Sequence, residues 1–259
     1  MKKRFHSPVA VLLFAFLLTS LPVSKKKIRV WLIGDSTMAH YDMSRAPLAG
    51  WGTPFSHFFD STVTVENKAR GGRSTRTFIS EGLWQQVADN LQAGDYVFMQ
   101  FGHNDEAKEV KYKDRYTPVP DYIRNLEKFV QESRTRQALP VILTPVTRMR
   151  FNAQGIQEET HKEYTAAAME TGARLNVPVI DLDAASRNLL QELGPVFSKR
   201  LFMQLDSLEH PNYPAGQKDN THFNEFGARL MAQLVLAEVR KKIPELSDRI
   251  SSPVKNKPR

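Results

Sequence analysis

The chain has 259 residues, enough to bury one sizeable core, with no cysteine and a formal charge of +8. The missing cysteines exclude a disulfide framework, a thiolate metal site, a lipid-modified cysteine and a cysteine nucleophile. Nine of the 36 basic residues lie at 2–4, 25–27 and 255–259, and removing them leaves 27 against 28 acidic residues, so the body is near neutral and lacks the basic surface that phosphate neutralisation needs. No nucleic-acid partner is expected, and the basic ends read as solvated tails.

At the N-terminus Lys2, Lys3 and Arg4 precede an apolar run from Val9 to Val23, the pattern of a secretory signal. The run is shorter than the roughly 20 residues a bilayer span requires. A signal peptide over 1–24 is expected, cut near Ser20 or Ser24, with export to the periplasm or the exterior and no stable membrane insertion after its removal.

Beyond it, five short β-branched apolar runs read as strands buried on both faces: Ile28 to Gly34, Val63 to Ala69, Asp95 to Gly102, Leu139 to Val146 and Val177 to Leu182. Helical periodicity fills the intervals, notably Asp121 to Arg136, with Tyr122, Leu126, Phe129 and Val130 on one face, and Glu158 to Leu175. The alternation predicts a three-layer α/β/α sandwich around a five-stranded parallel sheet. A Pro- and Gly-rich stretch from Gly194 to Lys218 reads as an insertion over a binding face. The last helix, Asn224 to Lys242, offers Phe226, Leu230, Leu234, Val235 and Val239 to the sheet, and Pro244 ends it. No repeat or linker interrupts this order, so one domain over 28–250 is expected, with a basic tail over 251–259.

In doubly wound sheets ligands bind beyond the carboxyl ends of the strands. Three of these ends carry unusual chemistry. The first runs into Gly34-Asp35-Ser36-Thr37-Met38, a hydroxyl on a turn. The second continues through Asn67 and Arg70 to Gly71-Gly72-Arg73-Ser74, where two glycines let backbone approach a bound group. The third ends in Gly102-His103-Asn104-Asp105, which brings a side-chain amide. Asp219-Asn220-Thr221-His222 follows much later, read as a loop before the last helix. Alone, each block reads as an ordinary turn; together they supply what acyl transfer needs, a hydroxyl nucleophile (Ser36), a base (His222), an orienting carboxylate (Asp219) and oxyanion donors. A three-residue spacing lets Asp219 accept from His222 Nδ1 while Nε2 faces Ser36.

These blocks resemble the SGNH (GDSL-like) hydrolases, whose four named residues match Ser36, Gly72, Asn104 and His222 in order. The resemblance covers nearly the whole exported chain and implies a flavodoxin-like fold, an oxyanion hole from the Ser36 and Gly72 amides and the Asn104 side chain, and no metal or organic cofactor. The Gly-Asp-Ser-Thr-Met, Gly-Gly-Arg-Ser-x-Arg, Gly-His-Asn-Asp and Asp-Asn-Thr-His-Phe variants are most similar to rhamnogalacturonan acetylesterases, which implies an acetylated polysaccharide or oligosaccharide as substrate. Thr37, where many lipolytic relatives have Leu, points the same way. The alternatives are a lipase or thioesterase for other acyl esters and a non-catalytic carbohydrate-binding protein on the same fold.

Four further residues are candidates for substrate contact. Arg73 and Arg76 suit uronate carboxylates or the support of the second block. His103 suits a substrate contact or a structural hydrogen bond, and Trp51 suits packing at a helix start or stacking on a sugar. His40, His57, His161 and His210 read as surface or packing residues, Arg148 and Arg150 as surface residues, and Asp35 as a brace for the first loop.

Overall fold

The computed structural model describes residues 26–251; the expected signal over 1–24 and nearly all of the basic tail lie outside them. Eight strands run in chain order as β1 (Ile28–Gly34), β2 (Leu48–Ala49), β3 (Val63–Asn67), β4 (Tyr96–Gln100), β5 (Leu139–Leu143), β6 (Val179–Ile180), β7 (Phe202–Leu205) and β8 (Gln217–Asn224). The helices are α1 (Gly52–Phe55), α2 (Thr75–Ser80), α3 (Leu83–Ala88), α4 (Val119–Thr135), α5 (Lys162–Leu175), α6 (Leu182–Phe197), α7 (Glu225–Lys242) and α8 (Pro244–Ser247).

The expected parallel sheet has the order β3-β1-β4-β5-β6. Side chains alternate across it, as a pleated strand dictates. Ile28, Val30, Leu32, Tyr96, Phe98, Val141 and Leu143 face a core shared with α1, α6, α7 and α8. Trp31, Ile33, Val97, Met99 and Ile142 face a second core filled by α2, α3, α4 and α5. This makes the three-layer sandwich, and α4 buries the four residues its periodicity singled out. Numbering only the five parallel strands gives the order 2-1-3-4-5, whose topological switch point lies between β1 and β4. Gly34 pairs with Gln100 at that edge, so the turns leaving both strands emerge side by side.

Three expectations need correction. The stretch from Gly194 to Lys218 is no plain insertion: it completes α6, forms β7 and turns into β8. The Asp219–His222 segment lies within β8, not in a loop, in an antiparallel sheet of order β2-β8-β7. In α7 the expected Val235 and Val239 are buried beside Ala228, Met231, Ala232 and Leu236, and Leu230 and Leu234 pack against the same core, but the expected Phe226 is 58% exposed. Gly227 sets the approach at the helix start, because a Cβ there would stand 1.9 Å from the Leu201 carbonyl oxygen, so only glycine lets this turn come so close. Pro244 does end α7, opening α8 at its first position.

Candidate active site

Ser36 follows β1 on a turn held from beneath by a buried chain of side chains. Asp35 Oδ1 accepts from the Thr37 amide (2.9 Å) and hydroxyl (2.8 Å), Gln100 Nε2 donates to Thr37 Oγ1 (2.6 Å), and Trp51 Nε1 donates to Gln100 Oε1 (2.6 Å). Asp35 therefore braces the loop, as read from the sequence. Its burial raises its pKa above the ordinary aspartate range against the lowering effect of those hydrogen bonds. Trp51 is 0% exposed, so the structure rejects it as a sugar platform and makes it the far anchor of the nucleophile turn.

From the other side, β8 delivers His222 and Asp219. Asp219 Oδ1 accepts from the Thr221 amide (2.7 Å) and the His222 amide (3.1 Å), which leaves Oδ2 for the His222 ring at 2.7 Å. A carboxylate only accepts, so His222 Nδ1 carries the proton, and in the neutral ring Nε2 is an acceptor. Ser36 Oγ lies 2.8 Å from Nε2 and donates to it. Burial works to raise the Asp219 pKa, but the bonds from His222 and the two amides outweigh it and hold the carboxyl below its ordinary range.

The oxyanion candidates meet at the same place. Among the described residues the Ser36 and Gly72 amides donate to no acceptor. Asn104 spends one Nδ2 hydrogen on the Arg73 carbonyl (3.0 Å), which fixes the amide plane and leaves the second free. Gly72 holds φ +80°, a conformation costly for residues with a Cβ. All line one cleft of about 410 Å³ with Tyr41, Arg45, Arg115 and Arg148, and no aliphatic side chain lines it.

The match to family models is decisive here: residues 32–230 fit the GDSL-like lipase/acylhydrolase family. The chain belongs to that family. Rhamnogalacturonan acetylesterase RhgT of Bacillus subtilis is 42% identical over 88% of this chain and 96% of its own length. The probable rhamnogalacturonan acetylesterase YesY of the same organism is 33% identical over 82% of this chain and 92% of its own. Among solved structures, the YxiM protein of B. subtilis superposes with a TM-score of 0.71 at 25% identity, over 85% of this chain, which spans 57% of that longer protein. The acetyl-xylooligosaccharide esterase Axe2 of Geobacillus, at 18% identity and TM-score 0.59, shares the fold.

Within this GDSL-like hydrolase the remaining candidates separate. Arg73 turns away, with Nε on Glu81 (3.0 Å) and a second nitrogen on the Gly71 carbonyl (2.8 Å), so it supports its own block. Arg76 pairs with Asp121 at 3.4 Å and lines a different groove. Neither reaches the cleft, which corrects both as substrate contacts. His103 does line the cleft, yet Nε2 lies 2.8 Å from the Val146 carbonyl and must be the donor there. Its burial, with the neighbouring charges, pushes its pKa well down and keeps it neutral.

Reading Arg148 as a surface residue was wrong. One of its nitrogens donates to Thr221 Oγ1 (2.6 Å), between Asp219 and His222 in the chain, while another meets Glu106 at 3.1 Å. Glu106 in turn accepts from the buried His161 at 2.8 Å. Arg148 stands five positions past the end of β5, so inspecting that strand end as the others were inspected finds it. Tyr41, Arg45 and Arg115 were also missed, and no motif marks them. Tyr41 donates to the Ser36 carbonyl at 2.8 Å.

Proposed function

We propose that this chain is a serine esterase that removes acetyl groups from rhamnogalacturonan through an acyl-enzyme on Ser36. The observation that carries the reading is the unbroken hydrogen-bonded chain from Ser36 through His222 to Asp219, opening on a cleft with three unspent donors. Carboxylic ester hydrolysis is the chemistry of its family, and the resemblance to RhgT over 96% of that protein supports the substrate class.

His222 Nε2 takes the Ser36 proton as Oγ bonds to the acetyl carbon, and the carbonyl oxygen becomes an oxyanion. The Ser36 and Gly72 amides and the free Asn104 hydrogen receive that charge without reorganising. Collapse breaks the bond to the sugar oxygen, which takes the proton from His222 and leaves. Water then adds to the acyl carbon, giving its proton to His222; acetate departs and Ser36 regains its hydrogen. Asp219, ionised well into acid, holds the ring tautomer and balances the transient imidazolium.

The lining supports a short acyl group. Apart from the Tyr41 ring, the lining of glycine, serine, threonine, asparagine, histidine and arginine gives a long alkyl chain little apolar surface to bury, and each buried methylene would otherwise be worth about 0.8 kcal/mol. Acetate release from acetylated rhamnogalacturonan, acetylated xylan and a long-chain ester tests the reading, with Ser36→Ala as control. Release should be fastest from rhamnogalacturonan and vanish in the variant; equal release by the variant overturns it.

Export through a signal over 1–24 belongs to the same proposal, since a polymer of this size is met outside the cell. N-terminal sequencing of the mature protein tests it, and an intact Met1 would refute it. Among the described residues no helix is long and apolar enough to cross a membrane.

A further inference from the structure

The cleft holds three guanidinium groups and a single carboxylate, and that carboxylate, Asp219, is committed to His222. Arg148 is neutralised by Glu106. Arg45 and Arg115 are not: among the described residues neither side chain forms an ion pair or a hydrogen bond, and the buried Arg115 Nε has no partner. Arg115 is nevertheless held in place, and Arg45, on an exposed turn, rests against an aromatic ring. The Arg45 guanidinium lies 4.9 Å from the centre of the Tyr41 ring, and its carbonyl accepts from Tyr213 (3.0 Å) in the connection between β7 and β8. The Arg115 guanidinium stacks 3.7 Å from the centre of the Tyr112 ring. One of its terminal nitrogens lies 3.8 Å from where a Cβ on Gly72 would stand, so it borders the oxyanion side of the cleft.

Stacked, unpaired guanidinium groups beside a reaction centre suit planar anions, which they bind with two parallel hydrogen bonds. We propose that Arg115, assisted by Arg45, is the subsite for a uronate carboxylate of the acetylated polysaccharide, so that the enzyme selects acidic over neutral polysaccharide. The inference rests on the esterase reading and deepens it. Arg115 is well placed for the task because it also lines a neighbouring cavity of about 600 Å³, shared through His103 and Arg148, into which a chain longer than one sugar can continue. That cavity is lined by equal numbers of basic and acidic residues, so the anion preference belongs to the cleft.

Titration calorimetry of Ser36→Ala protein decides the matter without turnover. The probes are a galacturonate-containing rhamnogalacturonan oligosaccharide and the same oligosaccharide with its carboxyls methyl-esterified. The acidic form should bind about tenfold or more tightly at low salt and lose that advantage at high salt. Adding Arg115→Gln should remove most of the preference, Arg115→Lys should keep part of it, and Arg45→Gln should remove less. Equal affinity for the two forms, no binding of either, or a preference that survives both glutamine variants would overturn the proposal. Should Arg115→Gln fail to fold, the two oligosaccharides on the arginine-intact protein still decide. Failure of the esterase reading shows separately, as acetate release that survives Ser36→Ala.

Discussion

The two halves of the cleft are built differently. Ser36 and Asn104 leave adjacent strands of the central sheet, where Gly34 and Gln100 are paired and both neighbouring cores are fully packed. Asp219 and His222 ride on β8 of a small sheet that sends Phe202 and Phe223 into the main core but whose own apolar cluster is small: Leu48, Met203 and Leu205, with Tyr41 and Tyr213 against it. The nucleophile side is therefore positioned by the rigid scaffold. The Asp219–His222 side is anchored in that core through Phe223 and held further by polar contacts, chiefly Asp219 on its own backbone and Arg148 on Thr221. Both sides combine burial with hydrogen bonding, but the bonds under Ser36 are buried whereas those around Asp219 and His222 are only part-buried.

The largest effects should ignore this difference, because the reacting groups act as one unit. Ser36→Ala and His222→Ala should each lower kcat by about a millionfold, with the double variant no worse than either. Asp219→Ala should cost less, about ten-thousandfold, since it orients rather than transfers. Initial rates of acetate release measure all four; additive losses would break the picture of a single unit. Asn104→Ala comes next. Losing one oxyanion donor should cost about a hundred- to a thousandfold in kcat with little change in KM. A change mainly in KM would mean that Asn104 holds the ground state instead.

The same contrast explains what could be read from the amino acids. Continuous β-branched runs made the central sheet and the turns carrying Ser36, Gly72 and Asn104 legible; β1, β4 and β5 are mostly buried as expected, whereas β3, at the sheet edge, is only part-buried. β8 was not, because only Phe223 among Gln217–Asn224 is buried and the rest lack an apolar alternation. Its Asp and His were visible through spacing and resemblance, but the strand beneath them was not. Arg148 was misread because a charged side chain looks the same in sequence whether it faces water or braces Thr221. The Trp51 indole packs at a helix start, one of its two readings, but its hydrogen bond was not legible because its buried partner, Gln100, lies 49 positions away. In α7 only Phe226 was misplaced, and its neighbour Gly227, the residue of closest approach, carries no hydrophobic signal.

A smaller effect should separate the halves. Arg148→Met removes the clamp on Thr221 while Asp219 and His222 remain, so kcat should fall about ten- to a hundredfold, the scale of a modest misplacement of reacting groups. Arg148→Lys should restore little, because one ammonium cannot hold Thr221 and Glu106 with the fork geometry of a guanidinium. On the scaffold side Trp51→Phe breaks only the outermost link of the chain under Ser36, and its kcat should fall less than that of Arg148→Met. A larger loss in Trp51→Phe would reverse the assignment of which half depends on polar clamping.

The smallest effect concerns pH and stability, where the two halves should differ in sign. Asp105 lies under the nucleophile side, accepting from the Thr75 amide at 2.9 Å and hydroxyl at 2.5 Å. Its complete burial outweighs those bonds and raises its pKa from 3.8 to about 7. Across that window the folded protein keeps a proton that the unfolded chain has released, so this group makes stability fall as pH rises from about 4 to about 7. Asp219, shifted downward, contributes stability above the ordinary aspartate range and loses it only as pH falls through its own lower value. Thermal denaturation of wild type, Asp105→Asn and Asp219→Asn across pH 3 to 8 tests the pair, at about 2–4 °C in Tm for each kcal/mol. Asp105→Asn should remove a decline in Tm between pH 4 and 7, and Asp219→Asn should flatten the curve only at the acid end. Matching wild-type slopes in the Asp105→Asn protein would mean that the buried carboxyl is ionised throughout, with its charge carried by the Thr75 bonds rather than suppressed by burial.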